Sequence, residues 1–394
     1  MRTKLLTLAI ALLSFSGLLA DDPKATLKPG DPAPPLKVTK WFNGREVNSF
    51  EPGKIYVVEF WATWCGPCVM MMPHIGDIQE ELAAKGVTVI GFTANDPNNS
   101  LEKVIKFVDK RGDKLGYTIA YADDRETYDA YMKASGHGGI PCSYVIGKDG
   151  KIAYIGHPLF LDEVLPKVLA GTWDSAKGTA ELEAADKLWD ATYAAINKPG
   201  DPAKQLAEWE AFSAKWPRLA ADPYMNAARL KLLVSAKKFP EARQLADTMF
   251  TKAIKRNDLA ALNIVCGEVS AAVGQADLAA IGVRAAEALL GIDGESPSTL
   301  IRLTKAYTAA GDATKAETFG PKAIAAAEKA VTGDKDVMGT LMLASAYHAA
   351  GNKEKAKATA EKAVSLVDDK NEGMKKYIED QAKKYGAEPK GEKK

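Results

Sequence analysis

The chain has 394 residues, 46% hydrophobic and 26% charged, a length and composition that fit roughly two to three soluble globular domains. Its 52 Lys and Arg balance 51 Asp and Glu for a net charge of +1, which excludes the basic footprint of a nucleic-acid or anionic-membrane binder. Four cysteines, Cys65, Cys68, Cys142 and Cys266, are too few for a disulfide-scaffolded fold and point to chemistry rather than stapling.

The first 20 residues, "MRTKLLTLAIALLSFSGLLA", have two basic residues, then an apolar run, then small residues. This is the layout of a secretory signal peptide, which predicts export and a soluble product after cleavage at Ala20. The Leu18-Leu19-Ala20 end is not an ideal small-x-small cleavage site, which leaves an uncleaved anchor open. Residues 21–35, "DDPKATLKPGDPAPP", read as an extended linker.

From residue 36 to 171 strands and helices alternate. "KIYVVEFWA" is a short β-branched and aromatic run, a buried strand. Residues from Cys65 to about Lys85 read as a helix stopped by Gly86. "VTVIGFTA" is a second buried strand, and "SLEKVIKFVDKRG" an amphipathic helix with Leu101, Val104, Ile105 and Val108 on one face. "YTIAYAD" is a strand and "RETYDAYMKAS" a helix. "CSYVIGKDGKIAYIGH" is a hairpin about Lys148-Asp149-Gly150, and "LFLDEVLPKVLAG" a closing helix. The order predicts a mixed α/β layer with helices on both faces.

Residues 172–181, "GTWDSAKGTA", read as a second linker. From 182 to 385 the chain is Ala-rich and helical in period, and it repeats itself. Leu303, Ala306, Tyr307, Ala310, Gly311, Lys315 and Ala316 recur 40 residues on as Leu343, Ala346, Tyr347, Ala350, Gly351, Lys355 and Ala356. Weaker junctions end on Ala242 and Ala279, and a possible first copy turns at 197–202. This pattern resembles the tetratricopeptide repeat, whose usual period is about 34. Leu303, Ala306, Tyr307 and Ala310 fall on one face of a first helix. Gly311 and Gly351 fall where that helix stops and the chain turns left-handed. Such units stack into an all-α solenoid with a concave surface suited to protein partners. The residues from 372 to 386 would form a capping helix, and 386–394 a disordered tail.

Cys65 and Cys68 enclose Gly66 and Pro67 in "WATWCGPCVMMMP". Haem attachment needs His directly after the second cysteine, and Val69 stands there. A structural zinc site wants a second ligand pair, and His74 alone does not supply one. A purely structural disulfide across so short a loop constrains little unfolded chain. Thiol–disulfide exchange is left, and the strand-to-helix junction favours it: a helix N-terminus stabilises the attacking thiolate. The chemistry then needs no metal and no cofactor beyond the Cys65–Cys68 pair.

At these residues the chain resembles thioredoxin. "VVEFWATWCGPC", with Trp64 before the first cysteine and the Gly66-Pro67 dipeptide, matches the family's strand and motif. Pro73 matches its helix-kinking proline, and "GGIPCSYVIGKDGK" its cis-proline loop. The resemblance covers roughly residues 31–170, and the signal segment and extra helix bring it nearer the exported TlpA-type branch. It implies a thioredoxin fold followed by the helical repeats. It also implies that Cys65 is an exposed nucleophile, that Cys68 resolves the mixed disulfide, and that Glu59 is a buried acid exchanging a proton with Cys68. Cis-Pro141 would set the Ile140 backbone beside the sulfurs, where a substrate strand can pair with it. Cys142 and Cys266 read as buried core residues, with a third redox thiol at Cys142 the alternative.

Two readings follow. One is an exported oxidoreductase that reduces disulfides in protein partners, fed by a membrane thiol donor, with the repeats holding partners. The other is a protein-binding repeat module whose head is a redox switch or docking unit. Peroxide reduction is disfavoured, because "VEFWATWC" lacks the proline of a Pro-x-x-x-Thr/Ser-x-x-Cys setting.

Overall fold

A computed structural model of the chain describes residues 25–272, 274–368 and 371–387. The expected signal segment, and residues 388–394 of the expected 386–394 tail, lie outside the described residues. Among the described residues no helix is long and apolar enough to cross a membrane.

Six strands form one mixed sheet in the order β1-β4-β3-β2-β5-β6. They are β1 (Lys40–Phe42), β2 (Ile55–Phe60), β3 (Val87–Ala94), β4 (Thr118–Ala122), β5 (Cys142–Ile146) and β6 (Ile152–Gly156). β2 lies at the centre, parallel to β3 and antiparallel to β5. All six of its residues are buried, which is why it reads as an unbroken apolar run interrupted only by Glu59.

Helices cover both faces. α1 (Gly66–Leu82), α2 (Leu101–Arg111) and α4 (Leu161–Leu169) share one apolar core with Ile55 and Val57 of β2 and with Trp61 just after it. On the other face α3 (Glu126–Tyr128) and the π-turn that follows it (Asp129–Lys133) bring Tyr131 and Met132 against Tyr56, Val58 and Phe60. This is the mixed α/β layer that the order of elements predicts, and the thioredoxin fold that the resemblance implies.

Three features differ from the sequence reading. β1 was not anticipated; it pairs antiparallel with β4 at the sheet edge. The stretch expected as a free linker is tied to the sheet where it is described: Gly30 N–H donates to Ile152 O at 2.7 Å, and Pro32 bridges Lys151. Residues 172–181 are mostly the start of a helix, α5 (Ser175–Asn197), because Asp174 caps it by accepting from Ala176 and Lys177 N–H.

After α5 the described residues form further helices: α6 (Pro202–Lys215), α7 (Pro223–Ser235), α8 (Phe239–Arg256), α9 (Leu259–Val269), α10 (Ala276–Asp293), α11 (Pro297–Ala309), α12 (Ala313–Ala330), α13 (Val337–Ala349), α14 (Lys353–Ser365) and α15 (Glu372–Lys383). Gly311 and Gly351 turn the α11–α12 and α13–α14 pairs with φ of 76° and 80°, the left-handed position a helix stop requires. Leu303, Ala306 and Tyr307 are buried, but Ala310, at the C-cap, is exposed. The apolar core under α1 continues without a break into these helices. The helical part therefore packs on the face of the sheet that carries the cysteines.

Candidate functional site

Cys65 is the N-cap of α1, with Pro67 in its first turn. The two sulfurs are bonded as a disulfide. Cys68 N–H points back and donates to Cys65 Sγ at 3.2 Å, so the free amides of the helix start face the first sulfur. The Ile140–Pro141 peptide is cis, and the Ile140 carbonyl oxygen lies 3.7 Å from Cys65 Sγ. Cys65, Gly66, Pro67, Cys68, Ile140 and Pro141, separated by about 75 residues in sequence, thus meet at one end of the sheet.

The resemblance implies an exposed Cys65, but the residue is only 4% exposed. Ile140 stands against the sulfur, and the hydroxyl of Tyr224, from the start of α7, donates to the neighbouring Pro67 carbonyl at 2.9 Å. Trp64 carries the exposure instead, at 55%. Its indole N–H donates to Asp96 Oδ2 at 3.0 Å, which holds the ring at the rim.

Behind the motif, Asn99 is fully buried and clamps the loop that leads to Trp64. Its Oδ1 accepts from Thr63 N–H and Oγ1–H at 2.9 and 2.8 Å, and its Nδ2 donates to Thr93 Oγ1 and Ala94 O. The Asn95–Asn99 segment carries no signal in the sequence, because isolated polar residues after a strand look like any turn.

Glu59 is buried completely, and neither carboxylate oxygen has a hydrogen-bond partner. It lies on the α1 face of β2, opposite Gly91 of β3 and Ser143 of β5. Trp61 Nε1, Tyr117 Oη and Ser143 Oγ are also buried without partners. Gly91 leaves the room they share: a Cβ there would lie 2.9 Å from the Tyr117 ring and 3.3 Å from Trp61 Nε1. Burial pushes the Glu59 carboxyl up to about 8, so it holds its proton at neutral pH.

Cys142 and Cys266 are free and buried. Burial pushes the Cys142 thiol up to about 12, which makes it a poor thiolate and a core residue. His74 pairs with Asp162 at 2.7 Å. Among the described residues no group of His, Cys, Asp or Glu is arranged to hold a metal ion.

Residues 29–155 match the model of the AhpC/TSA family. Protein FixW of Rhizobium leguminosarum is 31% identical over 153 residues, spanning 38% of this chain and 69% of its own. The chain belongs to the thioredoxin-like AhpC/TSA family. Thiol–disulfide oxidoreductase ResA of Geobacillus thermodenitrificans is 28% identical over 158 residues, 39% of this chain and 84% of its own. The thioredoxin domain of a thiol–disulfide oxidoreductase from Bacteroides vulgatus superposes on 36% of this chain and 99% of its own, at 22% identity and a TM-score of 0.31. With the paired sulfurs at its helix start, this AhpC/TSA chain is a thiol–disulfide oxidoreductase. The family match ends at residue 155, so α4 and the helices from α5 to α15 lie outside the matched region.

Proposed function

We propose that the chain is an exported reductase of protein disulfides. The observation that carries this is the juxtaposition at the start of α1: Cys65 Sγ caps the helix, takes the Cys68 N–H, and lies beside the carbonyl of Ile140 ahead of cis-Pro141.

The reaction needs the reduced pair. The Cys65 thiolate forms a bond to one sulfur of the substrate disulfide. The other substrate sulfur leaves with the electron pair of the broken bond and takes a proton. Cys68 then attacks Cys65 Sγ, forming the Cys65–Cys68 bond and expelling the second substrate sulfur as a thiolate, which is protonated. The pair is oxidised by two electrons and the substrate reduced by two. The helix start stabilises the first thiolate. Glu59, whose carboxyl titrates at about 8, is the proton exchanger for Cys68: its ionised form takes the Cys68 proton as that sulfur attacks. Trp64, Gly66, Pro67, Ile140 and Pro141 form the substrate surface, with a disulfide-bearing strand laid along the Ile140 backbone. A membrane thiol carrier restores the dithiol, and the reaction uses no cofactor or metal.

The tetratricopeptide-like helices would select protein partners. An open groove of about 570 Å³ bordered by Thr308, Pro321, Ile324 and Ala350 supports that role. The test is reduction of a disulfide-bearing protein, such as insulin, by the chain with dithiothreitol as donor. Catalysis in the parent, and a stable mixed disulfide with Cys68→Ser, support the reading. A parent no faster than dithiothreitol alone would overturn it.

A further inference from the structure

Tyr224 and Pro67 are 157 positions apart, yet the Tyr224 hydroxyl donates to the Pro67 carbonyl at 2.9 Å. That carbonyl and the Cys68 N–H are the two ends of one peptide group, and the N–H donates to Cys65 Sγ at 3.2 Å. Hydroxyl, amide and sulfur are therefore connected in series, from the helical part of the chain to the attacking sulfur.

We propose that Tyr224 is a positioning residue for the redox pair: its hydrogen bond polarises the Pro67–Cys68 amide, strengthens the bond from Cys68 N–H to Cys65 Sγ, and stabilises the Cys65 thiolate. The inference rests on the proposed function, in which Cys65 is the nucleophile. Drawing electron density onto an amide oxygen makes its N–H a better donor, and bonds in series strengthen one another by roughly 10–30% each. A thiolate accepts such a bond more strongly than a disulfide sulfur, because charged acceptors make the stronger hydrogen bonds. The reduced form gains more than the oxidised form. Tyr224 thus lowers the Cys65 thiol pKa and makes the disulfide easier to reduce.

The placement of the hydroxyl is built. Asp222 caps α7, accepting from Tyr224 N–H at 2.6 Å and Met225 N–H at 3.0 Å. Its other oxygen accepts from Trp189 Nε1 at 2.7 Å. The Tyr224 ring stands edge-on to Trp189 and Tyr193, with centroids 6.0 and 6.4 Å away, and those two rings stack on each other at 4.8 Å. Burial raises the Tyr224 hydroxyl above the ordinary tyrosine range, so it remains a donor throughout the range in which a cysteine titrates. The helical part therefore supplies one member of the catalytic surroundings, and the matched AhpC/TSA region alone, residues 29–155, lacks it.

The test compares the full chain, Tyr224→Phe and Tyr193→Phe. In the reduced proteins, alkylation of Cys65 by iodoacetamide is followed by mass spectrometry from about pH 4 to 9. The thiol–disulfide equilibrium with dithiothreitol is measured at about pH 7. Tyr224→Phe should raise the Cys65 pKa, slowing alkylation about threefold below that pKa, and shift the equilibrium about threefold toward the disulfide. Tyr193→Phe removes a hydroxyl from the same ring cluster and should match the parent. Parent values in Tyr224→Phe would overturn the inference and leave the oxidoreductase standing, as would an equal shift in Tyr193→Phe. A parent without an exchangeable disulfide would overturn both.

Discussion

Arg256, the last residue of α8, grips Asp77 of the redox helix: its Nε and Nη2 both donate to Asp77 Oδ1, at 3.0 and 2.8 Å. Nη2 also reaches Glu80 Oε2 at 2.5 Å. The guanidinium is nearly buried, whereas its two acids are part-exposed. Removing it leaves two carboxylates that can rehydrate, so the loss is less than for a fully buried pair. Arg256→Met should cost about 2 kcal/mol in denaturant unfolding. Gly116→Ala should cost at least as much, since its φ is 78° and a Cβ would fall 2.2 Å from Arg256 Nη1.

The two cysteines should separate by role. Cys65→Ser should reduce disulfide exchange to the uncatalysed background, because no attacking thiolate is left. Cys68→Ser should still attack but should accumulate a mixed disulfide with the substrate, visible on a non-reducing gel. Equal turnover in Cys65→Ser and the parent would remove the mechanism.

Glu59 makes stability depend on pH. Its carboxyl titrates at about 8 in the folded chain and near 4.3 when unfolded. Between those values the folded state binds more protons than the unfolded state, so stability falls as pH rises. The contribution is full below about pH 4 and is lost as pH passes through about 8, a total on the order of 3–5 kcal/mol. Glu59→Gln, neutral throughout, should flatten this dependence between about pH 5 and 8 in urea titrations. It should also slow the step at Cys68 by roughly 10- to 100-fold. An unchanged slope would mean that Glu59 is not the buried acid.

Gly311 and Gly351 have open space where a Cβ would stand, so only the backbone opposes substitution. Each change to Ala should cost about 1 kcal/mol. A near-zero cost at either site would mean that the turn is not held in its left-handed form.

Much of the sheet and the cysteine site was legible in the sequence because the signals are local. β2, α1 and the hairpin of β5 and β6 follow from short runs and from the residues that end them. Gly86, Gly311 and Gly351 mark helix stops through the one backbone conformation that glycine takes freely. β1 was missed because three residues at a sheet edge carry no period. The start of α5 was missed because "DSAKG" has the composition of a linker, although Asp174 is a cap. Tyr224 and Arg256 could not be read at all. Their partners lie 157 and 179 positions away, and an isolated Tyr or Arg on a helix has no pattern that names its contact. Burial of Cys65 could not be read either, because the Ile140 carbonyl beside its sulfur lies 75 positions away.

The most direct test of the central claim is the equilibrium reduction potential of the Cys65–Cys68 pair in the full chain, followed by thiol labelling in dithiol buffers. The account predicts a value near that of a reductant such as thioredoxin, about −270 mV. A value near −120 mV, the range of a strong disulfide donor, would contradict it.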